Sequence, residues 1–312
     1  MRLIDAVEIY IARKQSLGAR YRSPSYGLRS FSNKLGDLQL GQVTATDVKR
    51  FIESGGTSAT TRHIKHHLLK LFYEFWLARG EVSSSPLPAV APKRSEDFIP
   101  HIYARSEIQH LLDATPLSQE KGWCAMTAQT FRTMLLFLYG TGLRLGEALR
   151  LEWGHVDLPG GVVRIEQTKF YKSRLVPVGT DVGQLLSRHR ESRKQDSACL
   201  NVFHTKWNDP VEMRTVDLSF HRLRQHAGVT RRDTSTCQPR IHDLRHSFAV
   251  HRLISWYRQG KDLHRLLPAL STYLGHADLS ATQRYLTMTP ELLQVASERF
   301  EQYAFTGRIH GR

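Results

Sequence analysis

The chain has 312 residues, with 44 Lys and Arg against 29 Asp and Glu and a formal net charge of +15. Hydrophobic residues make up 40% and charged residues 23%, which excludes a disordered chain and, at this length, suggests two domains. The positive excess favours a polyanionic partner, nucleic acid ahead of an acidic membrane surface.

The first helix is predicted over residues 2–15. Its acids Asp5 and Glu8 stand where a signal peptide would be apolar, which argues against secretion. Thr44 and Asp47 have capping-box spacing, so a helix should start there and stop at Gly55-Gly56. A longer helix follows from Ser58 to Arg79, with Ile64, Leu68, Leu71, Phe72 and Phe75 as its apolar stripe. Arg62, Lys65, His66 and Lys70 lie mostly off that stripe and are expected to face DNA. Three serines and three prolines between Ser83 and Pro92 cannot continue a helix and read as an extended linker. The domains are therefore placed at 1–83 (all helix), 84–102 (linker) and 103–312. Residues 1–95 hold 15 Lys/Arg against 7 Asp/Glu, a net of +8, and the remainder holds 29 against 22, a net of +7. The smaller part thus has the higher charge density, as expected of a surface that binds polyanion itself.

The larger part is mixed. Residues 127–139 form an apolar helix. Strands are expected at Val162–Ile165 and Arg174–Val178, with Phe170-Tyr171-Lys172 near the hairpin tip. Helical patterns return at 216–227, 242–257, 262–273, 278–286 and 290–304. The fold class is mainly α with a small antiparallel β-sheet (α+β). No apolar run approaches the roughly 18 residues of a membrane span. Cys124, Cys199 and Cys237 are too scattered for a disulfide framework or a zinc knuckle, as in a reducing, cytoplasmic compartment.

Four strings in this part could carry chemistry. In Thr141-Gly142-Leu143-Arg144-Leu145-Gly146-Glu147, Arg144 stands at the positive end of a helix and Glu147, one turn on, can orient it. In Thr168-Lys169-Phe170-Tyr171-Lys172-Ser173-Arg174, lysines reach outward and can contact a DNA backbone or protonate a leaving oxygen. In His242-Asp243-Leu244-Arg245-His246, the i, i+3 pair His242 and Arg245 suits a phosphoryl group. The zinc-helix reading would need Glu where Asp243 stands, so no metal is expected. The fourth is Tyr273-Leu274-Gly275-His276, followed by Arg284-Tyr285. Taken singly, each has an ordinary reading: a surface ion pair, a backbone-contacting loop, a core tyrosine.

Together and in this order the strings resemble the tyrosine recombinase (phage-integrase) family, over residues 105–290. That family carries an Arg in T-G-x-R-x-x-E, a hairpin Lys, H-x-L-R, L-G-H, and a Tyr nine residues after that His. The matching positions are Arg144, Lys169, His242, Arg245, His276 and Tyr285, with Glu147 in support. Lys172 competes with Lys169 for the lysine role, and Lys172 and Arg174 are also placed among the DNA contacts. The stretch between Arg245 and His276 is longer than usual for the family.

The resemblance implies a helical core-binding domain joined to a catalytic domain. It also implies site-specific cutting and rejoining of DNA strands through a 3′-phosphotyrosyl bond. Tyr285 attacks, Arg144 and Arg245 neutralise the phosphate and Lys169 protonates the departing 5′ oxygen. His242 assists proton transfer at the Tyr, and His276 hydrogen-bonds the phosphate. No cofactor is implied, and there is no G-x-x-x-x-G-K-[ST] string for ATP. The implied partners are double-stranded DNA and further copies of the chain, a dimer on a site and a tetramer in synapsis, or related recombinases. The 290–304 helix is a docking element in cis or in trans. The encoding unit would be a mobile element, and the location the nucleoid. Two other readings are a DNA-binding accessory relative without catalysis and a type IB topoisomerase-like enzyme. The intact residue set argues against the first, and the linked basic domain against the second.

Overall fold

The computed structural model describes residues 1–19, 21–55, 58–88, 90–93, 99–166, 173–193, 199–231 and 237–275, together with Thr282, Gln283, Tyr285 and Ser297. The chain separates into two compact units, Met1–Phe98 and Ile99–Arg312, each with its own hydrophobic core.

The first unit holds four helices: α1 (Leu3–Ser16), α2 (Arg22–Leu35), α3 (Ala45–Glu53) and α4 (Ala59–Leu77). The capping box is formed at α3. The Asp47 amide donates to Thr44 Oγ1 at 3.3 Å, and the Thr44 amide donates to Asp47 Oδ2 at 3.1 Å. Helix α2 has no separate forecast from the sequence, because Pro24 and Gly27 interrupt its pattern. Pro24 falls in the first turn, where no intrahelical amide is needed. Gly27 lies under α4, and a Cβ there would stand 2.7 Å from Leu68 Cδ2.

The buried face of α4 is rotated from the one expected. His66, Leu69, Phe72, Tyr73 and Trp76 point inward, whereas Ile64 is 60% and Leu71 39% exposed. The helix carries apolar residues most of the way round, so two stripes compete. The one with three large aromatics buries more area and wins. Tyr10 of α1 meets Phe72 edge-to-face at 5.4 Å.

This rotation corrects part of the expected DNA face. His66 is buried, with its Nε2 3.4 Å from the carbonyl oxygen of Pro88. Lys65 is half-buried, and its Nζ donates to the carbonyls of Phe51 and Ser54 at the end of α3. Arg62 and Lys70 are exposed, Lys70 beside Glu74. The start of the expected linker is also packed: Leu87 lies against the core of this unit, as does Val82 just before the linker, and the carbonyl of Pro92 lies 3.1 Å from His63 Nδ1.

The second unit begins with α5 (Arg105–Asp113), α6 (Thr115–Ser118), α7 (Ala128–Thr141) and α8 (Leu145–Leu149). A three-stranded antiparallel sheet follows: β1 (Val156–Asp157), β2 (Val162–Ile165) and β3 (Arg174–Pro177), in the order β1-β2-β3. Then come α9 (Thr180–Glu191), α10 (Met213–His226), α11 (Asp243–Arg258) and α12 (Leu263–Leu274). The strands at 162 and 174 lie where the alternation predicted them, and Ile165 pairs with Arg174 at the end of the ladder. Strand β1 is too short to leave a periodic signal. The helices predicted over 278–286 and 290–304 lie outside the described residues, apart from Thr282, Gln283, Tyr285 and Ser297. Among the described residues no helix is long and apolar enough to cross a membrane.

The rotated face of α4 has a direct test. Leu69→Ala should cost about 2–5 kcal/mol, as deletion of a buried leucine does. Ile64→Ala should stay within about 0.5 kcal/mol, as exposed positions do. Urea unfolding of the full chain with both variants measures this, and the reverse order would restore the original stripe.

Candidate active site

Helix α7 ends on Gly142, whose φ of 61° lies in the left-handed region. Its Cβ-free side packs on α11: an added Cβ would stand 2.3 Å from Phe248 Cδ1. Glycine is required here on both counts. The turn delivers Arg144 to the N-cap of α8. There its amide donates to Glu147 Oε2 at 3.1 Å, its Nη1 to Glu147 Oε1 at 3.0 Å and its Nη2 to the carbonyl of Gly275 at 2.8 Å.

Glu147 has a second, tighter partner. Arg174, the first residue of β3, donates from Nη1 and Nη2 to its two oxygens at 3.0 and 2.8 Å. Its Nε donates to the carbonyl of Tyr273 at 3.0 Å. Such a fork-to-fork pair is the strongest geometry available to these groups. The Arg174 side chain is only 12% exposed, so it serves as an internal strut instead of the DNA contact expected at the hairpin. Burial alone would raise the Glu147 carboxyl, but Arg174 and Arg144 outweigh it and hold the pKa down to about 2.

Arg245, on the first turn of α11, is 2% exposed. Its Nη1 donates to the carbonyl of Gly142 and its Nη2 to that of Leu274, both at 2.7 Å. Burial and the nearby Arg144 lower its pKa to about 10, so it stays charged at neutral pH. Among the described residues no carboxylate lies within ion-pair distance of it. A buried cation bonded to carbonyls, with Glu147 acting on it only from a distance, has its charge incompletely compensated, a deficit that an anion in contact with it would relieve.

His242 stands at the N-cap of α11 and lines an open cleft of about 920 Å³ with Arg144, Arg150, Arg240, Phe220 and Met213. The cleft walls and the guanidiniums of Arg245 and Arg240 lower its pKa, so the imidazole is neutral at pH 7. The turn before α11 is fixed by Asp243. This residue is fully buried and accepts from the Arg240 amide at 2.9 Å and from Arg240 Nη2 at 3.0 Å.

Tyr285 is 4% exposed and packs with Phe248, Leu253 and Leu274. Its hydroxyl lies 3.0 Å from Nδ1 of His246, the residue after Arg245. The phenol is also close enough to influence the Arg245 guanidinium electrostatically. The structure thus gathers Arg144, Glu147, His242, Arg245 and Tyr285 around the junction of α7, α8, α11 and α12. Lys169, Lys172 and His276 lie outside the described residues. Sequence reasoning passed over Arg174 as a strut, Asp243 as a turn anchor and His246 as a partner of Tyr285. The signal available for His246 was its place one helical turn after His242. Among the described residues no group of three His, Cys, Asp or Glu side chains could hold a metal ion.

Comparison with known proteins gives a consistent result. The family model described as "Phage integrase family" matches residues 104–291. The putative integrase/recombinase y4rE of Sinorhizobium fredii is 34% identical over 302 residues, covering 95% of this chain and 94% of that protein. Tyrosine recombinase XerA of Thermococcus kodakarensis is 27% identical over 301 residues, with coverage of 95% and 94%. Among solved structures, the Tn1549 transposon integrase in complex with transposon right end DNA is similar at a TM-score of 0.68 and 16% identity, covering 97% of this chain and all of that one. A lambda integrase tetramer bound to a Holliday junction is similar at a TM-score of 0.66 and 17% identity, covering 91% of this chain and 77% of that one. At these identities the structures establish a shared fold.

The depressed Glu147 pKa predicts a pH dependence of stability. A carboxyl lowered from 4.5 to about 2 in the folded state stabilises above its unfolded value. That contribution, about 3 kcal/mol by the shift, is lost as pH falls from about 5 to about 2. Glu147→Gln should therefore unfold more easily at pH 7, and its deficit should shrink steadily below pH 5. Denaturant melts of both proteins across that range check it, and a deficit independent of pH would contradict the ion-pair account.

Proposed function

The chain belongs to the phage integrase family, and from that premise we propose how its residues carry out strand transfer. It is a site-specific DNA recombinase of the tyrosine type, an enzyme that cuts and rejoins DNA strands. The observation that supports the mechanism is the burial of the Tyr285 phenol beside the incompletely compensated charge of Arg245.

A DNA phosphodiester repels nucleophiles by its own charge, so the site must neutralise it before attack. The scissile phosphate enters the cleft at Arg144 and His242 and takes its place against Arg245. Donors of the two guanidiniums reach its non-bridging oxygens, as forked donors do for phosphate. Glu147 is kept ionised by Arg174 and aims Arg144. The Tyr285 oxygen attacks phosphorus, the bond to the 5′ oxygen breaks, and Lys169 protonates the departing oxygen. His276, next after the Gly275 carbonyl that Arg144 grips, hydrogen-bonds the phosphate. His242, neutral at the cleft, moves protons there. The 3′-phosphotyrosyl bond keeps the energy of the phosphodiester, so a 5′-hydroxyl can reverse the step without a cofactor.

Double-stranded DNA is the substrate. By likeness to the lambda integrase tetramer on a Holliday junction, the protein acts as a dimer on each site and a tetramer in synapsis. Exposed Arg62 and Lys70 of the first unit, with Lys172 of the second, contribute backbone contacts. Its likeness to a transposon integrase and to bacterial integrase/recombinases fits a gene carried by a mobile element. It also fits a cytoplasmic protein at the nucleoid.

The test is covalent trapping on nicked suicide DNA bearing candidate sites from the genetic neighbourhood of the gene. Wild type should give a protease-sensitive slow band on a denaturing gel, and Tyr285→Phe none. Arg245→Lys should reduce the rate of adduct formation about 100-fold or more, the loss typical of one charge-stabilising donor. Tight binding without any adduct from wild type would favour a non-catalytic DNA binder.

A further inference from the structure

Two histidines occupy successive turns of α11, His242 and His246, with ring centroids 5.2 Å apart and edge-to-face. They look in different directions. His242 is exposed at the cleft beside Arg144. His246 is half-buried, and its Nδ1 lies 3.0 Å from the Tyr285 hydroxyl, with ring centroids 5.5 Å apart. Resting on the strand-transfer reading above, we propose that His246, rather than His242, holds the Tyr285 hydroxyl for attack and takes its proton.

Geometry is the first requirement for a general base: it must lie within about 2.6–3.2 Å of the atom whose proton it removes. His246 meets it. For His242, among the described residues, no side-chain hydrogen bond is made. Burial is the second requirement. Tyr285 is 4% exposed, so bulk water does not compete for the phenol proton.

Electrostatics is the third. The Tyr285 phenol acts electrostatically on Arg245, the residue before His246, and Arg245 is in turn influenced by Arg144, Glu147 and Arg174, while His242 stands edge-to-face with His246. With Arg245 itself these groups make three guanidiniums against one carboxylate, a net positive charge. A guanidinium next to the phenol favours the negative charge that develops on its oxygen as attack begins.

The step balances without any further reactant. The Tyr285 O–H bond breaks with its proton passing to His246 Nδ1, which requires the tautomer with hydrogen on Nε2. The phenolic oxygen bonds to phosphorus and the P–O5′ bond breaks, the 5′ oxygen being protonated by the lysine of the strand-transfer reading. In rejoining, the His246 imidazolium returns its proton to the Tyr285 oxygen as the phosphotyrosyl bond breaks. Labour is thus divided along one helix: His242 serves the phosphate and His246 the nucleophile.

The experiment compares rates of adduct formation for wild type, His246→Gln and His242→Gln between pH 5.5 and 9, with DNA affinity measured by gel shift. The suicide DNA carries a bridging sulfur at the 5′ position, because a thiolate leaves without a proton and isolates the Tyr285 step. His246→Gln should bind DNA as wild type does but form adduct about 100-fold more slowly, within the range of a lost general base. It should also lose the acid limb of the pH profile, which His242→Gln should keep. If the Gln variant is poorly folded, His246→Gly supplies the answer: added imidazole should restore adduct formation.

Adduct formation by His246→Gln at the wild-type rate overturns the assignment while leaving the strand-transfer reading intact. So does an acid limb that survives in His246→Gln and vanishes in His242→Gln. A wild type that binds this DNA and forms no Tyr285-dependent adduct overturns the strand-transfer reading, and the role of His246 with it.

Discussion

Three arginines converge on the carboxyl end of α12. Arg174 donates to the carbonyl of Tyr273, Arg245 to that of Leu274 and Arg144 to that of Gly275. The last carbonyls of any helix lack partners within it and carry the negative end of its dipole. Here they are supplied by side chains from β3, α11 and the α7–α8 turn. The remaining structure of the second unit can be read as what brings these three cations to one place. The Leu-Gly string at 274–275 then has a physical basis. Gly275 adopts a φ of 68°, and a Cβ there would stand 2.8 Å from the Arg174 guanidinium.

Gathering cations without anions is costly, and the site limits the cost in two ways. Glu147 neutralises part of the cluster from a nearly buried position, and its twin arginines keep it ionised far below neutral pH. Arg245 is treated differently, for among the described residues its hydrogen bonds go to backbone carbonyls. The asymmetry separates Arg174, a guanidinium paired with a carboxylate, from Arg245, one bonded to backbone carbonyls. It also explains why the same residue type, a few ångströms apart, has such different chemical prospects.

The grouping of these residues was legible in the sequence because they fall in short, ordered strings. Arg144 with Glu147, His242 with Arg245, and Tyr285 are brought together, as the family resemblance implied. The strands at 162 and 174 were equally legible, since alternation survives on a half-buried sheet. What escaped depended on contacts distant in the chain. Nothing near Arg174 reveals that Glu147, 27 residues earlier, will accept both of its forks. The orientation of α4 was undecidable from periodicity, because leucines and aromatics cover most of its circumference. His66 looked solvent-facing until the chain after Ser83 folded back over it. Helix α2 was hidden by Pro24 and Gly27, which weaken a local pattern but suit the first turn and a close helix crossing.

The turn at Gly142 links Arg245 and Arg144 through the backbone. Its carbonyl holds Arg245, and Arg144 follows only two residues later along the same short stretch of backbone. A substitution that disturbs the left-handed turn at Gly142 therefore reaches both guanidiniums at once, although they stand on different helices.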